Sequence, residues 1–108
     1  MNPLPQPIAE YIDATNAQDP KRIAASFHVH AVVHDEGHMW RGRGDIEAWA
    51  RDSAARYQSV IEPLGLDASD GRHTLRAIVR GNFPGSPITL RFDFRLQSGG
   101  IDSLEIGS

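Results

Sequence analysis

Residues 72–97 read RHTLRAIVRGNFPGSPITLRFDFRLQ. Two runs in this stretch alternate with a period of two. Leu75, Ala77, Val79, Gly81 and Phe83 share one side of the first run; Thr74, Arg76, Ile78, Arg80 and Asn82 share the other. In the second run Ile88, Leu90, Phe92, Phe94 and Leu96 point one way, and Thr89, Arg91, Asp93, Arg95 and Gln97 point the other. Successive strand residues face opposite sides, so the pattern predicts two strands with one apolar and one polar face. That division suits an antiparallel sheet covered on one side only. Between the runs, Pro84-Gly85 fits the centre of a type II turn, where Pro sets one φ and Gly supplies the positive one. Gly81 reads as a point of strong curvature or of close approach by another backbone.

The pattern extends outward from this stretch. Asp70-Gly71 signals a hairpin upstream, and Ser98-Gly99-Gly100 marks a turn downstream. Strands are expected near 58–68, 72–83, 87–97 and 100–106. Pro63 cannot donate to a ladder, which predicts an edge strand or a bulge. A bulge would bend the sheet so that it cups a cavity.

The first half of the chain is mostly helical in texture. Ile8, Tyr11, Ile12 and Thr15 recur at helical spacing after Pro5 and Pro7. Asp19-Pro20 reads as an N-cap followed by Pro at the first helical position. The helix it opens carries Ile23, Ala24 and Phe27 on one face. Ala31-Val32-Val33 favours a strand, and Glu36-Gly37 a turn into His38-Met39-Trp40-Arg41. A third helix is expected from about Asp45, with Ile46, Trp49, Ala50, Ser53 and Tyr57 on one face. The fold class is therefore α+β, with a curved antiparallel sheet and helices on one face.

Composition narrows the class further. The chain has 108 residues, enough for one domain over 1–108 and too few for two. It has no Cys, which excludes disulfide scaffolds, thiolate catalysis and cysteine-ligated zinc. Its formal charge of -3 offers no basic field for nucleic acid. No apolar run is long enough to span a membrane. Met1 to Pro5 shows no charged segment leading into an apolar one, so a cytoplasmic domain without a signal peptide is expected.

The order of elements resembles the nuclear transport factor 2-like superfamily, specifically its SnoaL-like and ketosteroid-isomerase-like members. The resemblance rests on Pro7-Ile8, Asn16 to Asp19, Phe27 before Ala31-Val32-Val33, and Asp35-Glu36-Gly37. It continues through Gly42 with Ile46 and Trp49, then Tyr57, Glu62-Pro63-Leu64 and residues 81–87. It implies a cone in which three helices close one mouth of a strongly curved sheet. It also implies a mostly apolar internal pocket and a homodimer through the outer sheet face. Catalytic members use a pocket carboxylate to move protons on a small apolar substrate, without a cofactor; others only bind or scaffold.

Within that frame, Asp35 and Glu36 are the leading acid/base candidates. A carboxylate beside an apolar cavity loses solvation and becomes a competent base near neutrality. Adjacent strand residues face opposite ways, so only one is expected to enter, and Asp35 is favoured because Glu36 sits at the turn. The alternative is that Asp35 holds backbone amides or pairs with Arg41 or Arg43. Glu62 is the second catalytic candidate if it points inward, and a plain surface charge if it points outward. Tyr57 is the third, as a hydroxyl donor to a developing oxyanion. Tyr11, His34, Trp49, Asn82 and Phe92 are the expected pocket residues. His30, His34 and His38 have spacing that would stack them on a helix, but the strand and turn signals argue against a metal site.

The outer sheet face, with Arg76, Arg80, Arg91 and Arg95 around Ile78 and Asp93, suits a homodimer interface. Three functions follow from these observations. The first is an isomerase, cyclase or hydratase, and the second is a non-catalytic ligand-binding module. The third is a dimerising domain with a filled core.

Overall fold

A computed structural model describes residues 4–108. Met1 to Pro3, part of the segment read for a leader, lie outside the described residues.

Helix α1 spans Gln6–Asn16, with proline in its first turn, and buries Ile8, Tyr11, Ile12 and Ala14. Helix α2 spans Pro20–Ala25. The expected cap is present: Asp19 Oδ1 accepts from the Arg22 backbone N–H at 3.2 Å. Phe27, expected on that helix, instead begins strand β1, Phe27–Asp35, and is still fully buried. Strand β2 is His38–Arg41 and helix α3 is Arg43–Tyr57. The remaining strands are β3 (Val60–Ser69), β4 (Arg72–Arg80), β5 (Ile88–Gln97) and β6 (Gly100–Gly107). Among the described residues, no helix is long and apolar enough to cross a membrane.

The strands form one curved sheet in the order β2-β1-β6-β5-β4-β3. The antiparallel meander expected from the sequence accounts for β3 to β6. Strand β1 then joins β6 in parallel, which the alternation could not reveal, because pairing direction leaves no trace in face assignment. The three two-residue hairpin loops, Glu36-Gly37, Asp70-Gly71 and Ser98-Gly99, all have positive φ at both central residues. This geometry matches the twist of the flanking strands.

Pro63 fulfils both readings. Strand β3 is an edge, and its register with β4 shifts between Pro63 and Gly65. Ile61 is buried before the shift, and Leu66 packs on the core after it. Val60 and Leu64 are left exposed. The helices cover the concave face, where Phe27, Phe94, Ile8, Ile46, Leu75 and Ile101 are the largest fully buried side chains. Tyr11 packs edge-on against Phe27 and Phe94, with ring centroids 6.0 and 5.6 Å apart.

Just after β4, another backbone does approach Gly81. A Cβ there would lie 2.6 Å from the Tyr57 carbonyl oxygen and 2.8 Å from the Phe83 ring. The neighbouring Asn82 N–H donates to that same carbonyl at 2.6 Å. Gly81→Ala is therefore expected to push Tyr57 away and to cost about 1–3 kcal/mol. Gly44, in α3, would place a Cβ in open space. Gly44→Ala should instead stabilise by roughly 0.5–1 kcal/mol. Thermal melts of the two variants should move in opposite directions.

Candidate functional site

A cavity of about 390 Å³ opens between the helices and the concave sheet face. Its size falls within the range of small-molecule sites, about 300–1,000 Å³. Of the residues expected from the sequence, Asp35, Tyr57, Tyr11, Trp49 and Phe92 line it. They arrive from α1, α3, β1 and β5. On β1, Ala31 and Val33 are buried, and alternation carries Asp35 to the same face. On α3, residues 49, 53 and 57 are spaced to lie along one side, and all three line the cavity.

Trp49 Nε1–H donates to Asp35 Oδ2 at 3.1 Å. This bond is the polar anchor of the cavity wall, and neither Arg41 nor Arg43 pairs with Asp35. Arg43 Nε donates instead to the Phe27 carbonyl at 2.8 Å. Burial pushes the Asp35 carboxyl above the ordinary carboxylate range. The Trp49 bond and a backbone hydrogen bond oppose that shift, while the negative charge of Glu36 adds to it. Burial, reinforced by the Asp35 charge, also drives the Tyr11 phenol upward, so it stays protonated at neutral pH.

Three expected residues lie elsewhere. Glu62 is exposed and points to the outer side of the edge strand, where its Oε1 accepts from Arg80 Nη1 at 2.6 Å. The register shift begins after Glu62, so it cannot turn this residue inward. His34 is exposed because its neighbour Val33 takes the inward position. Asn82 is exposed in the loop after β4, where its backbone N–H serves the Tyr57 carbonyl.

Glu36 is the correction in the other direction. It lines the cavity together with Asp35 and accepts from Tyr57 Oη–H at 2.9 Å. The alternation argument excluded one of two adjacent carboxylates. It fails here because Glu36 has φ 53°, outside the extended backbone. That hydrogen bond to Glu36 is the main reason the Tyr57 phenol is also raised. The Tyr57 hydroxyl is thus directed to Glu36 rather than left as a donor for substrate. Thr15 also lines the cavity; its buried Oγ1 makes no close hydrogen bond among the described residues, but it faces the Tyr11 hydroxyl and opposes part of the rise in that phenol.

The family profile described as a SnoaL-like domain matches residues 8–98. The chain belongs to the SnoaL-like family. This SnoaL-like chain is 36% identical to a candidate polyketide cyclase from Sinorhizobium meliloti. The match covers 95% of this chain and 94% of that one, with a TM-score of 0.91. A protein with a ketosteroid isomerase-like fold from Catenulispora acidiphila, in complex with trimethylamine, superposes with TM-score 0.87 at 17% identity, covering 98% and 87% of the two chains. SalBIII, an epoxide hydrolase/cyclase-like enzyme of pyran ring formation in the polyether salinomycin, superposes with TM-score 0.82 at 21% identity, covering 94% and 87%. The last two likenesses concern the fold. No curated protein matches the sequence.

Proposed function

We propose that this SnoaL-like chain moves a proton on a small, mostly apolar molecule bearing a carbonyl or an epoxide. The reaction class is isomerisation, aldol-type cyclisation or hydration. One observation carries the reading: a partly buried carboxylate, Asp35, set in an apolar cavity and held by the Trp49 indole at 3.1 Å. Desolvation makes Asp35 a stronger base than a solvated carboxylate. It takes a proton from a carbon beside a carbonyl, or from an attacking hydroxyl or water, and returns it as the acid. The Tyr11 phenol, kept protonated, donates to the oxygen on which negative charge develops. The polyketide cyclase and epoxide hydrolase/cyclase descriptions of the similar structures support this class of chemistry.

The test is native mass spectrometry after exposure to a small-molecule extract, followed by incubation of the retained ligand in heavy water. Deuterium uptake or conversion of the ligand is the expected result. A retained ligand that neither exchanges nor changes makes the chain a binding module and overturns the reading.

We further propose that the working unit is a homodimer formed through the outer face of β4 and β5. Charge on that face is partly neutralised within the chain, which lowers the cost of covering it. Asp93 accepts from Thr74 Oγ1 at 2.8 Å and from Arg91 Nε at 2.7 Å. Light scattering should return twice the 11.9 kDa chain mass; the single-chain mass contradicts the dimer.

A further inference from the structure

We propose that the cavity selects an organic cation, a small tertiary or quaternary ammonium compound seated between the Asp35 carboxylate and the aromatic wall. The inference rests on reading this cavity as the ligand site and adds the sign of charge that the ligand carries.

The first observation is electrostatic. Asp35 and Glu36 both line the cavity, and among the described residues no Lys, Arg or His does. The Arg56 guanidinium stands over the Tyr57 ring. It sits 4.9 Å from the centroid of the Tyr57 ring, is fully exposed, and donates to Asp52 Oδ2 at 3.3 Å. Arg56 is not among the residues lining the cavity. An anionic ligand would therefore meet two carboxylates and no counter-charge, which is an effective means of rejection. A cation meets the opposite field, in a partly desolvated setting where the attraction is stronger than in water.

The second observation concerns the walls. Tyr11, Trp49, Tyr57, Phe83 and Phe92 all line the cavity. Aromatic surfaces attract alkylammonium groups through their ring quadrupoles while burying the attached methyl groups. A neutral hydrocarbon ligand needs the apolar walls but gains nothing from the carboxylates. A strongly hydrated metal or ammonium ion gains from the carboxylates but has no use for the apolar walls. An alkylated ammonium uses both.

The third observation is that acceptor capacity remains. Trp49 contributes one bond to Asp35 Oδ2, and an ionised carboxylate has about four acceptor sites. The buried Thr15 hydroxyl lies in the same wall, beside the Tyr11 hydroxyl. A protonated tertiary amine has one N–H to give.

Three probes of the same shape test the inference by calorimetric titration at neutral pH. They are choline, its neutral carbon isostere with a tert-butyl group in place of trimethylammonium, and the anion of tert-butylacetic acid. Choline should bind at least about tenfold more tightly than its isostere, with no binding of the anion. The double variant Asp35→Asn, Glu36→Gln should bring the ratio toward one while the isostere's affinity holds. Glu62→Gln, on the outer side of the edge strand, should leave the ratio unchanged.

Equal affinity for choline and the isostere overturns the inference. So does binding of the anion, absence of choline binding at millimolar concentration, or a ratio that survives loss of both carboxylates. Its failure is separable from failure of the proton-transfer reading. Deuterium exchange on a neutral ligand with no charge preference keeps the proton chemistry and removes the cation. Tight choline binding with no exchange does the reverse.

Discussion

Asp35→Asn should lower turnover by about 10²–10⁴-fold, the usual worth of a positioned general base. The same substitution should raise thermal stability at neutral pH. The two effects have one cause. In the folded chain, burial raises the Asp35 carboxyl above its ordinary value, while in the unfolded chain it titrates at about 3.9. Between those values the folded state binds more protons than the unfolded state, so stability falls as pH rises through that window. The contribution of the neutral carboxyl is fully present below the unfolded value and lost above the folded one. Asn cannot ionise, and its amide oxygen still accepts from Trp49. Asp35→Asn therefore melts higher than the parent at pH 7, and the difference closes as the pH is lowered toward 4. Activity of the parent runs the other way: as a base Asp35 must be ionised, so kcat/KM falls as pH drops through its raised pKa. Melts and rates across the same pH series check both halves. A variant that is less stable than the parent at pH 7, or as active, contradicts the account.

Phe94→Ala should cost about 3–5 kcal/mol, the largest stability loss expected of any single substitution considered for this chain. Phe94 is 1% exposed. It meets the Tyr11 ring edge-on at 5.6 Å and stacks with Phe92 at 6.4 Å. Removing it leaves a void beneath two cavity-lining rings, and little can collapse into a space bounded by a helix and a sheet. A domain of this size has only about 5–15 kcal/mol in total, so the loss is a large fraction. Tm should fall by at least about 10 °C in differential scanning calorimetry. A fall of only a degree or two would mean that this layer is not a packed core.

The alternation in residues 72–97 made the sheet legible, because each face meets a different medium. Asp19-Pro20 and the Gly-containing hairpin turns were legible because their backbone geometry demands those residue types. Asp35 was legible for the same reason as the sheet: Ala31 and Val33 carry its face inward. That logic also excludes His34, whose exposure follows from the burial of Val33. Glu36 was not legible because the strand's alternation stops at Asp35. A two-residue turn with positive φ at its first position breaks the alternation and turns a second carboxylate to the same opening. The signal was Glu36-Gly37 itself, a hairpin turn with an acid at its first central position. Glu62 was misplaced because a bulge was foreseen at Pro63 but its starting point was not. The shift falls after Pro63, so only residues beyond it change face. The parallel pairing of β1 with β6, and the hydrogen bonds from α3 to the two acids, join residues far apart in the chain. Local pattern carries no information about either.

Asp35 as a partly buried carboxylate in a ligand cavity underlies the proposed chemistry, and its own titration is the sharpest check. The chemical shift of the Asp35 side-chain carboxyl carbon can be followed by NMR across the acid range, assigned by comparison with Asp35→Asn. The expected midpoint lies clearly above the ordinary aspartate value of about 3.9. A midpoint at or below that value would show a solvated or cation-paired carboxylate and would contradict the proposed chemistry.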